Sequence, residues 1–137
     1  GAVLAASGAG SLIADVLLAA TNFEPMRPAY NYSVFSAINI AMMMLATIPG
    51  TIAIMMPFVG TIAETAQIPV SAALMIIVNG YATVFFPYQA SPMLAGLRIA
   101  NVSFTDGTKI TFVVSLVSVL TILPLTYLWW RWLGVFD

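Results

Sequence analysis

Long apolar blocks alternate with short polar gaps along this chain. The blocks cover residues 2–20, 34–60, 69–97 and 110–133, and the charged residues collect between and after them. Glu24 and Arg27 share the first gap, Glu64 the second, and Arg98, Asp106 and Lys109 the third, with Arg131 and Asp137 at the end. A membrane-crossing helix needs roughly 20 apolar residues, a length that each block meets. Asp15 is the exception, an ionisable group inside a block and therefore a functional candidate. The gap at 21–33 holds Asn22, Pro25, Pro28, Asn31 and two tyrosines, and reads as an interfacial loop with aromatic anchors.

Two blocks are interrupted. In the second, Ala46-Thr47-Ile48-Pro49-Gly50-Thr51 breaks the run. Pro49 removes an amide hydrogen, Gly50 permits a left-handed backbone, and the threonines can cap a new helix. The arms on either side count about 13 to 15 residues, or roughly 20 Å at helical rise. Two readings follow: a single spanning helix kinked at Pro49, or a re-entrant hairpin over 34–66 whose tip, 47–51, lies near the midplane. The third block, 69–97, is apolar up to Phe86 and then meets Pro87-Tyr88-Gln89-Ala90-Ser91-Pro92. Two prolines five apart unwind a helix, and Ser91-Pro92 suits its restart as cap and first turn. Asn79 and Gly80, ahead of that break, read as helix packing. Asp106-Gly107 reads as a turn before a plain final helix over 110–133, which ends in Trp129-Trp130-Arg131-Trp132, an aromatic belt with a basic anchor.

Composition agrees with the blocks. Of 137 residues, 61% are hydrophobic and 7% charged, against about a quarter charged in soluble domains. The expected class is an all-α integral membrane protein, multi-pass, in the inner (plasma) membrane of a prokaryote. Cysteine and histidine are absent, which removes thiolate and imidazole chemistry and most structural metal sites. A net charge of -1 offers no basic patch for nucleic acid, and no phosphate loop or nucleophile elbow is present, so an enzyme is not expected. The chain opens at Gly1 without a basic leader and reads as a processed or excised fragment rather than a signal peptide.

Broken helices carry a functional implication. Each break frees amide hydrogens that attract anions and carbonyls that coordinate cations. Secondary transporters place such breaks together near the midplane, within inverted repeats. The candidate ion- and substrate-binding residues are therefore Thr47, Gly50 and Thr51 from the first break and Gln89, Ala90 and Ser91 from the second, with Pro49, Pro87 and Pro92 shaping the breaks.

The stretch 47–133 resembles the carboxy-terminal repeat of the divalent anion:sodium symporter family, the dicarboxylate, citrate and sulfate carriers. The resemblance rests on Thr47–Pro57 as the second hairpin tip and its aliphatic run, Ala63-Glu64 through Ile68-Pro69, Val84–Pro92 as the second break, and the Trp-rich last helix. Where the family has Ser-Asn-Thr, this chain has Thr47-Ile48-Pro49. The resemblance implies half of an inverted-repeat transporter, with a discontinuous helix beside the re-entrant hairpin. It implies Na⁺ as coupling ion, held at Thr47, Gly50 and Ala90, and a small anion as substrate. The missing amino-terminal repeat or a second copy would complete it. A proton-coupled or arsenite-type permease of the same superfamily, and a non-transporting scaffold subunit, are the alternatives.

Overall fold

The computed structural model describes residues 16, 19 and 21–136. The helix expected over 2–20 lies otherwise outside these residues, as do Asp15 and Asp137. Six α-helices follow in order: α1 (Pro28–Leu45), α2 (Ile48–Met55), α3 (Val59–Ala66), α4 (Val70–Asn79), α5 (Ser91–Ile99) and α6 (Phe104–Trp132). Short 3-10 turns at Met56–Phe58, Gly80–Ala82 and Pro87–Gln89 link or extend them, and no strand occurs among the described residues. Among the described residues two helical stretches are long and apolar enough to cross a membrane, Ile48–Ala66 and Phe104–Trp132.

The second block folds back on itself. The Asn31 side-chain amide, near the start of α1, donates to the Ala66 carbonyl at the end of α3 over 2.7 Å. A continuous helix would hold those residues roughly 50 Å apart, so the kinked-helix reading does not describe this chain. The arms are longer than expected. α1 has 18 residues because it begins at Pro28, inside the expected loop, where a proline at the first helical position loses no hydrogen bond. The return stretch has 19, since Pro57 is absorbed in a 3-10 turn rather than ending the helix. At about 1.5 Å per residue each arm reaches about 27 Å, close to a hydrocarbon thickness of about 30 Å. Arm length therefore no longer argues for a tip at the midplane.

Helix ends follow local chemistry. α3 stops at Gln67, which takes a left-handed φ of 51° while the Ile68 amide reaches back to the Ala63 carbonyl over 3.0 Å. Asn101, at φ 52°, ends α5 with the Val102 amide on Leu97 at 2.9 Å. Both satisfy carbonyls that a helix end leaves orphaned. α6 begins at Phe104, six residues before the expected start, and Asp106-Gly107 lies in its first turn. Ser103 is the reason: its hydroxyl accepts from the Asp106 amide at 3.1 Å and donates to the Asp106 carboxylate at 2.7 Å. A reciprocal cap of this kind outweighs the turn preference of Asp-Gly.

The core lies between the hairpin and α4. α1 buries Tyr32, Phe35, Ser36, Asn39 and Met43, spaced three and four apart, so that they share one face. Opposite stand Ile62, Ala63 and Ala66 of α3 and Ala72, Ala73, Ile76 and Ile77 of α4. The small alanines allow close helix approach, as small residues do where lipid supplies no hydrophobic drive between helices. Gly80 goes further: a Cβ there would collide with the Met43 sulfur. α6 turns Gly107, Thr111 and Ser115 inward, one turn apart, and leaves most of its remaining apolar side chains exposed.

Candidate functional site: two helix breaks around the last turn of α1

The first break is tight and local. Residues 46 and 47 leave the helix, and Thr47 caps α2 by accepting from the Gly50 amide at 3.3 Å. Pro49 occupies the first turn, where its missing amide loses nothing. Gly50 is an ordinary helical residue, and its left-handed freedom is unused. Thr51 is fully buried, and its hydroxyl donates to the carbonyl of Thr47 at 3.2 Å and of Met42 at 3.5 Å.

The second break is longer and starts earlier than expected. α4 loses its α-helical pattern after Asn79, tightens through Gly80–Ala82, and residues 83–86 run free of the helix before the turn at Pro87–Gln89. Thr83 closes the end, with both its amide (3.0 Å) and its hydroxyl (2.9 Å) on the Gly80 carbonyl. Phe86, which precedes a proline, is held extended at φ −124° and ψ 138°. The restart at α5 has Ala90 as its cap residue, so Ser91 lies inside the first turn rather than before it, exposed, and makes no capping bond.

Both breaks converge on one turn of helix. The final carbonyls of α1 have no amide partners further along their own helix. Met42 accepts from the Ala46 amide at 3.1 Å as well as from Thr51. Met43 accepts from the Gln89 side-chain amide at 2.5 Å, and Met44 accepts from the Tyr88 hydroxyl. Gln89 is fully buried and uses its other end too, since its carboxamide oxygen accepts from the Phe86 amide at 2.6 Å. That second bond fixes which end of the amide faces Met43. Thr111 of α6 supports the break from the far side by donating to the Phe85 carbonyl at 2.8 Å.

Thr47, Gly50 and Thr51 thus stand on one side of this turn and Gln89 on the other, joined through Met42 and Met43. Ala90 sits next to Gln89 but bonds within its own helix start, accepting from Met93 at 3.0 Å. The residues that sequence reasoning missed are Tyr88, Thr111 and two asparagines. Asn31 ties the hairpin base together, trading bonds of 2.9 Å with the backbone of Glu24 and donating to Ala66. Asn39 donates to the Ile76 carbonyl at 3.0 Å, the group freed when α4 tightens. Its oxygen, the Ser36 hydroxyl and the Asn79 side-chain nitrogen are buried without hydrogen-bond partners. The signal for Asn39 was present, since polar residues at 32, 36 and 39 fall on one helical face of an otherwise apolar block.

Among the described residues no cluster of acidic side chains could hold a metal ion. Oxygen ligands at the breaks would come from carbonyls and hydroxyls instead. No family model, curated protein or solved structure matches this chain.

Proposed function

We propose that this chain is a membrane-embedded half of a secondary active transporter, carrying a small anion such as a dicarboxylate or sulfate together with Na⁺. The observation that carries the reading is the convergence of both helix breaks on the carbonyls of Met42, Met43 and Met44. Carbonyls at interrupted helices are the usual cation ligands of such carriers, and amides at the restarting helices α2 and α5 are the usual anion donors. The Met43 and Met44 carbonyl oxygens each have two lone pairs and accept from one side chain, so an arriving Na⁺ would take the second lone pair and share the oxygen with Gln89 or Tyr88. Ion binding and the position of the second break are then linked. Thr47 and Thr51 border the same turn, while Ala90 and Ser91 begin the helix that follows Gln89.

The test is uptake. The chain, reconstituted in proteoliposomes with a complementary repeat or as its own oligomer, should accumulate a small dianion only in Na⁺. Uptake that continues unchanged in choline removes the sodium claim, and uptake indifferent to Gln89→Ala removes the site. The arm lengths favour a second reading, in which both arms cross the bilayer fully and the chain is a scaffold subunit. A cysteine placed at exposed Pro49 separates the two. Labelling from the side opposite the hairpin base, marked by residues 24 and 67, means full crossing, while labelling from the same side means a re-entrant tip.

A further inference from the structure

Two cavities lie end to end between α1 and α6. The first, about 490 Å³, opens where the amino end of α1 meets the carboxyl end of α6, and both Arg27 and Arg131 line it. Tyr30, Tyr127 and Phe136 supply its aromatic wall. The second, about 450 Å³, shares Ala29 and Tyr127 with the first and continues between the same two helices. It is edged by Ser33, Ala37 and Ile40 from α1 and by Val119, Leu123 and Leu128 from α6. Residues 29 to 40 extend about 16 Å at helical rise.

The two ends differ in chemistry. Glu24 pairs with Arg27 at 2.8 Å on the surface, and Arg131 forms no ion pair among the described residues. Among the described residues the mouth therefore gathers two guanidiniums, of which only that of Arg27 has a carboxylate partner. Exposed Trp129 and Trp132 beside Arg131 mark the level of a membrane–water interface. The continuing groove is apolar apart from hydroxyls, chiefly of Ser33, Ser36 and Tyr32, and the Tyr32 hydroxyl is already committed to the Leu123 carbonyl at 3.0 Å.

We propose that this composite cavity is a binding site for one anionic phospholipid, its phosphate between Arg27 and Arg131 and one acyl chain along the groove between α1 and α6. Guanidinium groups match phosphate oxygens in paired hydrogen bonds, and basic pockets between membrane helices hold acidic head groups for this reason. A free phosphate would use the mouth alone; continuity with the apolar groove argues for the lipid. The inference rests on membrane embedding but not on transport.

Native mass spectrometry of the detergent-purified chain, titrated with phosphatidylglycerol or phosphatidylcholine, reads the site directly. Wild type should retain phosphatidylglycerol at least tenfold better than phosphatidylcholine. The double variant Arg27→Gln/Arg131→Gln should lose that preference, while Lys109→Gln, a charge removed at the other end of α6, should keep it. Ala37→Trp, which fills the groove, should lower retention of both lipids. Millimolar inorganic phosphate should leave the lipid bound. Equal retention of both lipids by wild type, or an unchanged preference in the double variant, overturns the proposal. Displacement by phosphate with no effect of Ala37→Trp overturns it in favour of a free anion. Failure of the membrane reading is seen separately, as a chain that alkaline carbonate strips from membranes.

Discussion

The two breaks solve the same problem in opposite ways. At residues 46–47 the chain closes its own ends: Thr47 caps α2, Thr51 bonds back to Met42 and Thr47, and the groups involved lie within nine positions of one another. At residues 83–90 local bonds of Thr83 and Gln89 are joined by fastenings from far away. Gln89 and Tyr88 reach carbonyls 46 and 44 positions earlier, and Thr111 reaches back 26 positions to Phe85. A locally capped break keeps its shape whatever surrounds it. A break held by distant side chains keeps its shape only while its neighbours stay in place.

If that contrast is right, substitutions at the second break should be the more damaging. Gln89→Leu leaves the buried Met43 carbonyl and the half-buried Phe86 amide unpaired. At about 1–3 kcal/mol for the buried carbonyl and less for the half-buried amide, about 2–5 kcal/mol of stability should be lost, read as a lowered unfolding midpoint in detergent. Gly80→Leu forces a side chain into the space of Met43 and Asn39, and overpacking of this kind costs about 1–3 kcal/mol. Shortening the neighbour with Met43→Ala should recover part of that loss in a double-mutant cycle, and a purely additive result would mean the two do not touch. Thr111→Val removes one hydrogen bond and should cost about 1 kcal/mol, with the effect seen as faster amide exchange in residues 83–90 rather than across the whole chain. The smallest effect belongs to the first break. Thr47→Ala should cost about 1 kcal/mol and Thr47→Ser nearly nothing, because the cap needs only the hydroxyl. A larger loss at Thr47 than at Gln89 would reverse the comparison.

Interruptions of both blocks were legible because proline, glycine and threonine act on their own few residues. Boundaries were less so. Pro87 drew the expected end of α4 toward itself, whereas the helix closes at Asn79–Ala82, where Gly80 lets Met43 approach and Asn39 takes the carbonyl that the tightening frees. The early start of α6 was written in Ser103 and Asp106 and was obscured by Gly107, a residue that a capped first turn tolerates. For the candidate site, Thr47, Thr51 and Gln89 could be picked from their types and places, but Tyr88 and Thr111 could not, since nothing near them in sequence reports a carbonyl waiting elsewhere.

The sequence by itself determined the apolar blocks, the all-helical class among the described residues, and where the chain stops being helical to within a few positions. Those follow from hydropathy and from backbone chemistry acting over one or two turns. Only the tertiary structure decided that residues 31 and 66 meet, that both breaks gather on the last turn of α1, and that Arg27 and Arg131 share a cavity. Each of these depends on which helix lies beside which. That choice is made by close contacts such as Gly80 on Met43 and by side chains seeking orphaned carbonyls, and neither is encoded at any one position.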